Sequence, residues 1–274
     1  MEIAPITPAI GAEISGIDLA QPLADQDIET IYRALVAHKL IFFRGQDLSA
    51  ESQLEFASRF GEIDKPHVVY PHVDGLQQVT LLENDADRRP DTNAWHTDLT
   101  YYPNPPFASV LHARSVPTAG GDTLWASMAA AYNALPETIR AEIADLKAIH
   151  DPGTFRNQFA GEDGDVTALN EAMGRVGSAV HPVVQVHPVS GEKYLYVNQS
   201  FTEQILGYGT PDSKRLLAYL FDHINQPEFQ TRHRWQEGDV AMWDNRITQH
   251  YAVADYATYR RMHRVTVVND RRAA

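Results

Sequence analysis

The sequence predicts a mainly β fold, a sandwich or jelly roll that carries its helices on the outside. Two observations point there. Short β-prone runs recur along the chain, at Val79–Leu82, Phe107–Ala113, Lys193–Val197, Val240–Trp243 and Arg264–Val268, each broken by Pro, Gly, Asn or Asp. Only a few segments repeat their apolar residues at helical spacing, so most of the core has to be built from strands.

Taken in order, residues 26–38 read as an amphipathic helix that runs into the apolar strand Leu40-Ile41-Phe42-Phe43 and stops at Arg44-Gly45. Ser49 reads as an N-cap with Glu51 in the first turn. Leu54, Phe56 and Phe60 then form the apolar face of a second helix ending at Gly61. Thr210-Pro211 reads as a cap followed by proline at the first helical position. Leu216, Leu217, Leu220, Phe221 and Ile224 follow on one face. Residues 151–180 are Gly-rich and polar with little periodicity, the mark of a lid over a site. No repeat, linker or charge block divides the chain, so residues 1–274 read as a single domain.

Composition narrows the function. There is no cysteine, which excludes disulfides, thiolate nucleophiles, zinc–thiolate sites and cysteine-ligated clusters. A net charge of −13 argues against nucleic acid as a partner, since phosphate binding needs clustered cations. The first residues lack a secretory signal and no run approaches the roughly 18 apolar residues of a membrane span, so a cytoplasmic enzyme without membrane contact is expected.

Trp95-His96-Thr97-Asp98 is the first candidate for chemistry. Read as a strand, it turns His96 and Asp98 to one face, where both can reach one metal ion. A His-x-Asp alone is a weak signal, and His72-Val73-Asp74 is a second example. Asp74-Gly75 is a turn signal that places the second pair in a loop, whereas Trp95–Tyr101 is aromatic and β-prone. A third ligand is available at His250, beyond the strand and polar turn of Val240–Arg246. Two imidazoles and one carboxylate on one face of an octahedron suit iron(II) and leave three positions open. The same donors also suit zinc, and a non-catalytic binding protein stays open on these residues alone. Further on, Arg260 and Arg264 share one face of a strand, with Arg261 and His263 on the other. A guanidinium fork on the metal side would hold a carboxylate or sulfonate.

The chain resembles the taurine dioxygenase family, a group that includes aryloxyalkanoate dioxygenases and alkylsulfatases. The likeness covers nearly the whole sequence. It runs through Gly11–Leu19, Trp95–Asp98, Gly120-Gly121-Asp122-Thr123-Leu124-Trp125 and His181-Pro182-Val183-Val184. It continues in Trp243-Asp244-Asn245-Arg246, Thr248–Ala252 and Arg260–Arg264.

The resemblance implies a double-stranded β-helix, with Fe(II) held by His96, Asp98 and His250 and with 2-oxoglutarate and dioxygen as co-substrates. It implies that Thr123 and Arg260 bind the far carboxylate of 2-oxoglutarate. Arg260 stands one residue closer to His250 than its counterpart does, and strand parity with Arg264 selects it over Arg261. His67, Tyr70, Phe155, Phe201 and Arg264 match residues around the substrate. Thr92 replaces an asparagine that orients the substrate amine, a departure that bears on taurine against other alkylsulfonates. The implied reaction hydroxylates the carbon bearing sulfur and releases sulfite and an aldehyde, with succinate and CO2 as co-products. Cleavage of alkyl sulfates or aryloxyalkanoates at the same iron centre is the alternative. Relatives imply a homo-oligomer, dimer or tetramer.

Overall fold

A computed structural model describes residues 1–67, 70–88, 93–153 and 177–273. The largest sheet begins with β1 (Glu2–Pro5), β2 (Ala12–Ser15) and β3 (Leu40–Phe43). It continues through β4 (Gly61–Ile63), β5 (His72–Val73), β6 (Leu76–Asn84) and β7 (Ala108–Ser115). The next strands are β8 (Thr123–Ser127), β9 (Lys147–His150), β10 (Ala179–Pro182), β11 (Val184–Val186), β12 (Lys193–Leu195) and β13 (Thr202–Ile205). The last four are β14 (Gln230–His233), β15 (Val240–Asp244), β16 (Thr248–Ala252) and β17 (Arg260–Asp270). Among the described residues five α-helices accompany them: α1 (Asp25–His38), α2 (Ala50–Ser58), α3 (Met128–Ala134), α4 (Glu137–Ile143) and α5 (Thr210–Ile224).

The large sheet runs β1-β2-β3-β15-β7-β17-β6-β5, with β4 paired to the far end of β17. Among the described residues there are three smaller sheets, β14-β8-β16, β10-β9-β13 and β11-β12. All of these pairings are antiparallel except β2 with β3.

Side-chain alternation assembles this into a jelly roll. Ile41 and Phe43 of β3, Val110 of β7, Met242 of β15 and Val265 and Val267 of β17 pack outward against α1 and α2. Their neighbours Leu40, Phe42, Leu111, Trp243 and Met262 pack inward against Trp125 of β8. A strand covered on both faces has to be apolar throughout, which is why Leu40–Phe43 is a continuous run rather than an alternating one. The outer side of the smaller sheets is closed by α3 and α5, through Met128, Ala131, Leu216, Leu217 and Leu220. None of the described helices is long and apolar enough to cross a membrane.

The expected elements form, with three differences. Ser49 caps α2 as anticipated, accepting the amide of Ser52 at 3.1 Å. Replacing it with Ala should cost about 1 kcal/mol in urea unfolding, with the m-value unchanged. Thr210 is not a cap. Gly209 holds that position, so Thr210-Pro211 forms the first turn of α5. Trp95–Tyr101 is not a strand either. His96 makes one isolated bridge to His250, after which the chain turns, with Leu99 at a left-handed φ of 57°. His72-Val73, read as a loop, is instead a two-residue strand leading into the Asp74-Gly75 turn. Thr92, Phe155 and most of the 151–180 segment lie outside the described residues.

Candidate metal centre

The bridge between His96 and His250 is the first determinant of the site. Each residue's amide donates to the other's carbonyl, at 3.1 and 2.8 Å. Directly paired residues project to the same face, and the two rings lie 4.0 Å apart. Thr97 points away and donates its hydroxyl to the Thr248 carbonyl. The turn that follows brings Asp98 back beside the rings. Its Oδ1 lies 3.7 Å from His96 Nε2 and 3.8 Å from His250 Nε2. These gaps are too long for hydrogen bonds, and two ligand bonds of about 2.1 Å can span them. The three side chains offer donor atoms within 4.8 Å of one another, and all three are buried.

Their charge states suit a cation. His96 Nδ1 donates to the Ala94 carbonyl at 2.8 Å, which leaves the Nε2 lone pair facing Asp98. Burial, reinforced by His96, pushes His250 down to about 3 and keeps it neutral at neutral pH. Burial alone would raise Asp98, but the neighbouring imidazoles and Arg264 bring it down to about 2. Arg264 is the fixed cation beside the carboxylate, Nη1 standing 3.6 Å from Oδ1.

A cavity of about 120 Å³ opens from the histidines, lined by Tyr70, Thr123, Arg260 and Arg264 among others. Arg260 and Arg264 both face it, as strand parity requires, while Arg261 lies on the other face and pairs with Glu83 at 3.6 Å. Arg260 is 5% exposed. Burial works against its charge and Tyr256 sustains it. Its Nε is buried with no hydrogen-bond partner among the described residues. Thr123 accepts the Trp235 indole N–H at 2.9 Å, so its own hydroxyl proton is available to the cavity.

The Gly120-Gly121 turn makes room for this end of the site. Both residues adopt left-handed φ, 79° and 72°. A Cβ on Gly121 would crowd the Tyr256 ring at 3.2 Å, and one on Gly120 would strike Asp255.

At the other end, the His67 and Tyr70 rings lie 4.6 Å apart, and the Arg264 guanidinium sits 5.6 Å from the Tyr70 ring centre. Burial, with Arg264 adding to it, holds His67 at about 3, so it stays a neutral hydrogen-bonding group. Phe201 meets His96 edge-on at 6.4 Å and Tyr101 at 5.0 Å.

Residues 2–266 match the family model described as taurine catabolism dioxygenase TauD, TfdA family. The chain belongs to the TauD/TfdA family. A sulfate ester dioxygenase dependent on α-ketoglutarate (2-oxoglutarate), from Pseudomonas putida, is 43% identical over 98% of this chain and 90% of its own length. An alkylsulfatase of Acinetobacter baylyi is 37% identical over 98% of this chain and 86% of its own. Among solved structures, a taurine dioxygenase from Burkholderia xenovorans superposes with a TM-score of 0.84 at 35% identity, covering 98% of this chain and 89% of that one.

This TauD-family chain is therefore a 2-oxoglutarate-dependent dioxygenase, an enzyme class that works with Fe(II). Its residues fit both requirements. Two imidazoles and an ionised carboxylate suit a ferrous ion, and the buried Arg260 nitrogen without a partner among the described residues suits a carboxylate. The fold also brings in residues for which sequence reading found no role. Asn245, Ser109, Trp235 and Trp243 all touch members of the site. Trp243 and Asn245 stand in Trp243-Asp244-Asn245-Arg246, read from sequence as a strand ending in a polar turn and as part of the family likeness, and Ser109 stands in the β-prone run Phe107–Ala113; neither segment signals contact with the site. Five further histidines bond elsewhere: His181 to the Thr100 and Tyr102 carbonyls, His187 to Asp244, and His112, His150 and His223 to Gln46, Thr100 and Ala131.

Proposed function

We propose that His96, Asp98 and His250 hold the iron and that Thr123 and Arg260 grip the far carboxylate of 2-oxoglutarate. The substrate is a small alkyl oxyanion of sulfur anchored by Arg264, with His67, Tyr70 and Phe201 around it. Bound iron supplies oxygen activation coupled to decarboxylation of 2-oxoglutarate. The chain's own residues do the positioning, because the C–H bond attacked is the one held nearest the metal.

The observation that carries the reading is Arg264. It sits at the rim of the donor set, on the same face as Arg260, and its Nε has no hydrogen-bond partner among the described residues. An anion fixed there places the adjoining carbon next to the metal. Hydroxylation at that carbon turns an alkylsulfonate into sulfite and an aldehyde, which is the taurine-type reaction. It turns an alkyl sulfate into sulfate and an aldehyde.

Two facts favour the sulfate ester. The similar relatives from P. putida and A. baylyi are named for sulfate ester and alkylsulfate chemistry. Apart from Asp98, the carboxylate among the described residues lining the cavity is Glu83, and it is already held by Tyr259 and Arg261. Leu81, Leu82 and Leu111 offer an apolar wall suited to an alkyl chain.

The test scores sulfite and sulfate release from taurine, alkylsulfonates, alkyl sulfates and aryloxyalkanoates, omitting iron, 2-oxoglutarate and air in turn. Replacing Arg264 with Ala should raise the KM of the sulfur substrate about 10- to 150-fold, the weight of one charge-assisted contact. The KM for 2-oxoglutarate should stay near wild type. Unchanged substrate kinetics in that variant would remove the anchor. We further propose a cytoplasmic homo-oligomer, dimer or tetramer, with residues 1–274 as one catalytic domain, to be checked by light scattering.

A further inference from the structure

We infer that Asn245 and Ser109 act as positioning residues that present Asp98 to the metal through one oxygen only. The inference rests on the reading of Asp98 as a metal ligand and assigns work to two side chains outside the donor set.

Asp98 sits where regular structure has run out. His96 bridges to His250 through its main chain, and continued pairing would set Asp98 opposite Thr248. The chain turns instead, and the Thr97 hydroxyl takes the Thr248 carbonyl. The amide and carbonyl of Asp98 are thus left inside the protein without a strand partner, a costly condition for buried backbone.

The Asn245 side chain supplies what the missing strand would have. Its Oδ1 accepts the Asp98 amide at 2.9 Å, and its Nδ2 donates to the Asp98 carbonyl at 3.0 Å and to the Pro106 carbonyl at 3.1 Å. A primary amide can do this because it carries a donor and an acceptor side by side, as a peptide unit does. Asn245 is itself fully buried at the end of β15, and its amide donates to Phe107. The large sheet is therefore the frame to which the Asp98 backbone is fixed.

Ser109 acts on the carboxylate. It lies on the inward face of β7 and donates its hydroxyl to Asp98 Oδ2 at 3.3 Å. That leaves Oδ1 as the oxygen facing the Nε2 atoms of both histidines. Oδ2 carries the Ser109 hydrogen bond, while Oδ1 has no hydrogen bond among the described residues and only the longer approach of Arg264 at 3.6 Å, which favours ligation through Oδ1 alone.

Partners of metal ligands typically contribute about 10- to 100-fold in affinity. Mn(II) titrated into the metal-free protein by calorimetry should bind Asn245→Ala about 10- to 100-fold more weakly than wild type. Ser109→Ala should bind about 10-fold more weakly, and Ser109→Thr, which keeps the hydroxyl, should recover most of the loss. Thermal unfolding of each metal-free variant separates a lost fold from a lost ligand geometry. If Asn245→Ala does not fold, the Ser109 pair decides the matter.

Asp98→Ala is the control. Should it bind Mn(II) like wild type, the metal reading itself fails and the inference goes with it. Should it lose binding while Asn245→Ala and Ser109→Ala stay within two-fold of wild type, only the positioning role is overturned.

Discussion

Asn in place of Asp98 is expected to erase the stabilisation that a divalent metal gives the folded protein. At metal 100-fold above its dissociation constant, the wild-type chain should gain about 2.7 kcal/mol. In a chain of this size that is a rise of about 5–10 °C in melting temperature. The variant should gain nothing measurable, and substrate-dependent succinate formation should fall by more than the roughly 100-fold assigned to outer partners.

The reason is the charge the site is built around. Burial opposes the Asp98 anion, yet two imidazoles and Arg264 hold it ionised. An amide keeps the shape and loses the anion. Without metal the variant should melt somewhat below wild type, because Arg264 loses its counter-ion. Differential scanning fluorimetry with and without Mn(II) reads both effects. An equal metal-induced shift in the two proteins would show that Asp98 is not a ligand.

Asp244→Asn should produce the largest loss of stability, about 3–5 kcal/mol at neutral pH, because it removes one partner of a buried two-point ion pair. Asp244 is fully buried and receives Arg246 through two nitrogens, at 2.9 and 2.6 Å, and His187 at 3.0 Å. Arg246 continues to Asp270 at 3.1 Å, and Asp270 accepts the Tyr32 phenol, so α1, the β15 turn and the end of β17 share one network.

The sign of the pH dependence follows from the same contacts. Burial would raise Asp244, but Arg246 and His187 hold it below the ordinary carboxylate value. A depressed native pKa means the stabilisation is fully present above the unfolded carboxylate's range and is lost as pH falls through the native value. The gap between wild type and Asp244→Asn in urea unfolding should therefore be full at pH 7 and close below about pH 4. A gap that persists unchanged into acid would show that the network's charge is not the source. Because Asn245 follows Asp244 directly, loosening this turn should also loosen the clamp on Asp98.

Particular residues show where sequence reading reached and where it stopped. Ser49 as a cap, the doubly covered strand Leu40–Phe43 and the placing of Arg260 and Arg261 on opposite faces of one strand were all legible. Each depends on a few neighbouring residues: a side-chain oxygen one turn before a helix, or the period of two that sets which strand residues share a face. The reading of Trp95–Tyr101 as a strand failed for the complementary reason. Its composition is β-prone, but Asp98 takes its backbone partners from the Asn245 side chain and Leu99 turns into left-handed space.

By itself, then, the sequence determined the mainly β class, the helices at 25–38, 50–58 and 210–224, the face on which each arginine stands and the family to which the chain belongs. Those are properties of local spacing and of residues kept in order. Only the tertiary structure decided that His96 and His250 pair directly and that a side-chain amide replaces a strand at Asp98. Only there does Ser109 turn one carboxylate oxygen away from the histidines. Such contacts join segments far apart in the chain, and their geometry exists only after the sheets have closed and excluded water from between them.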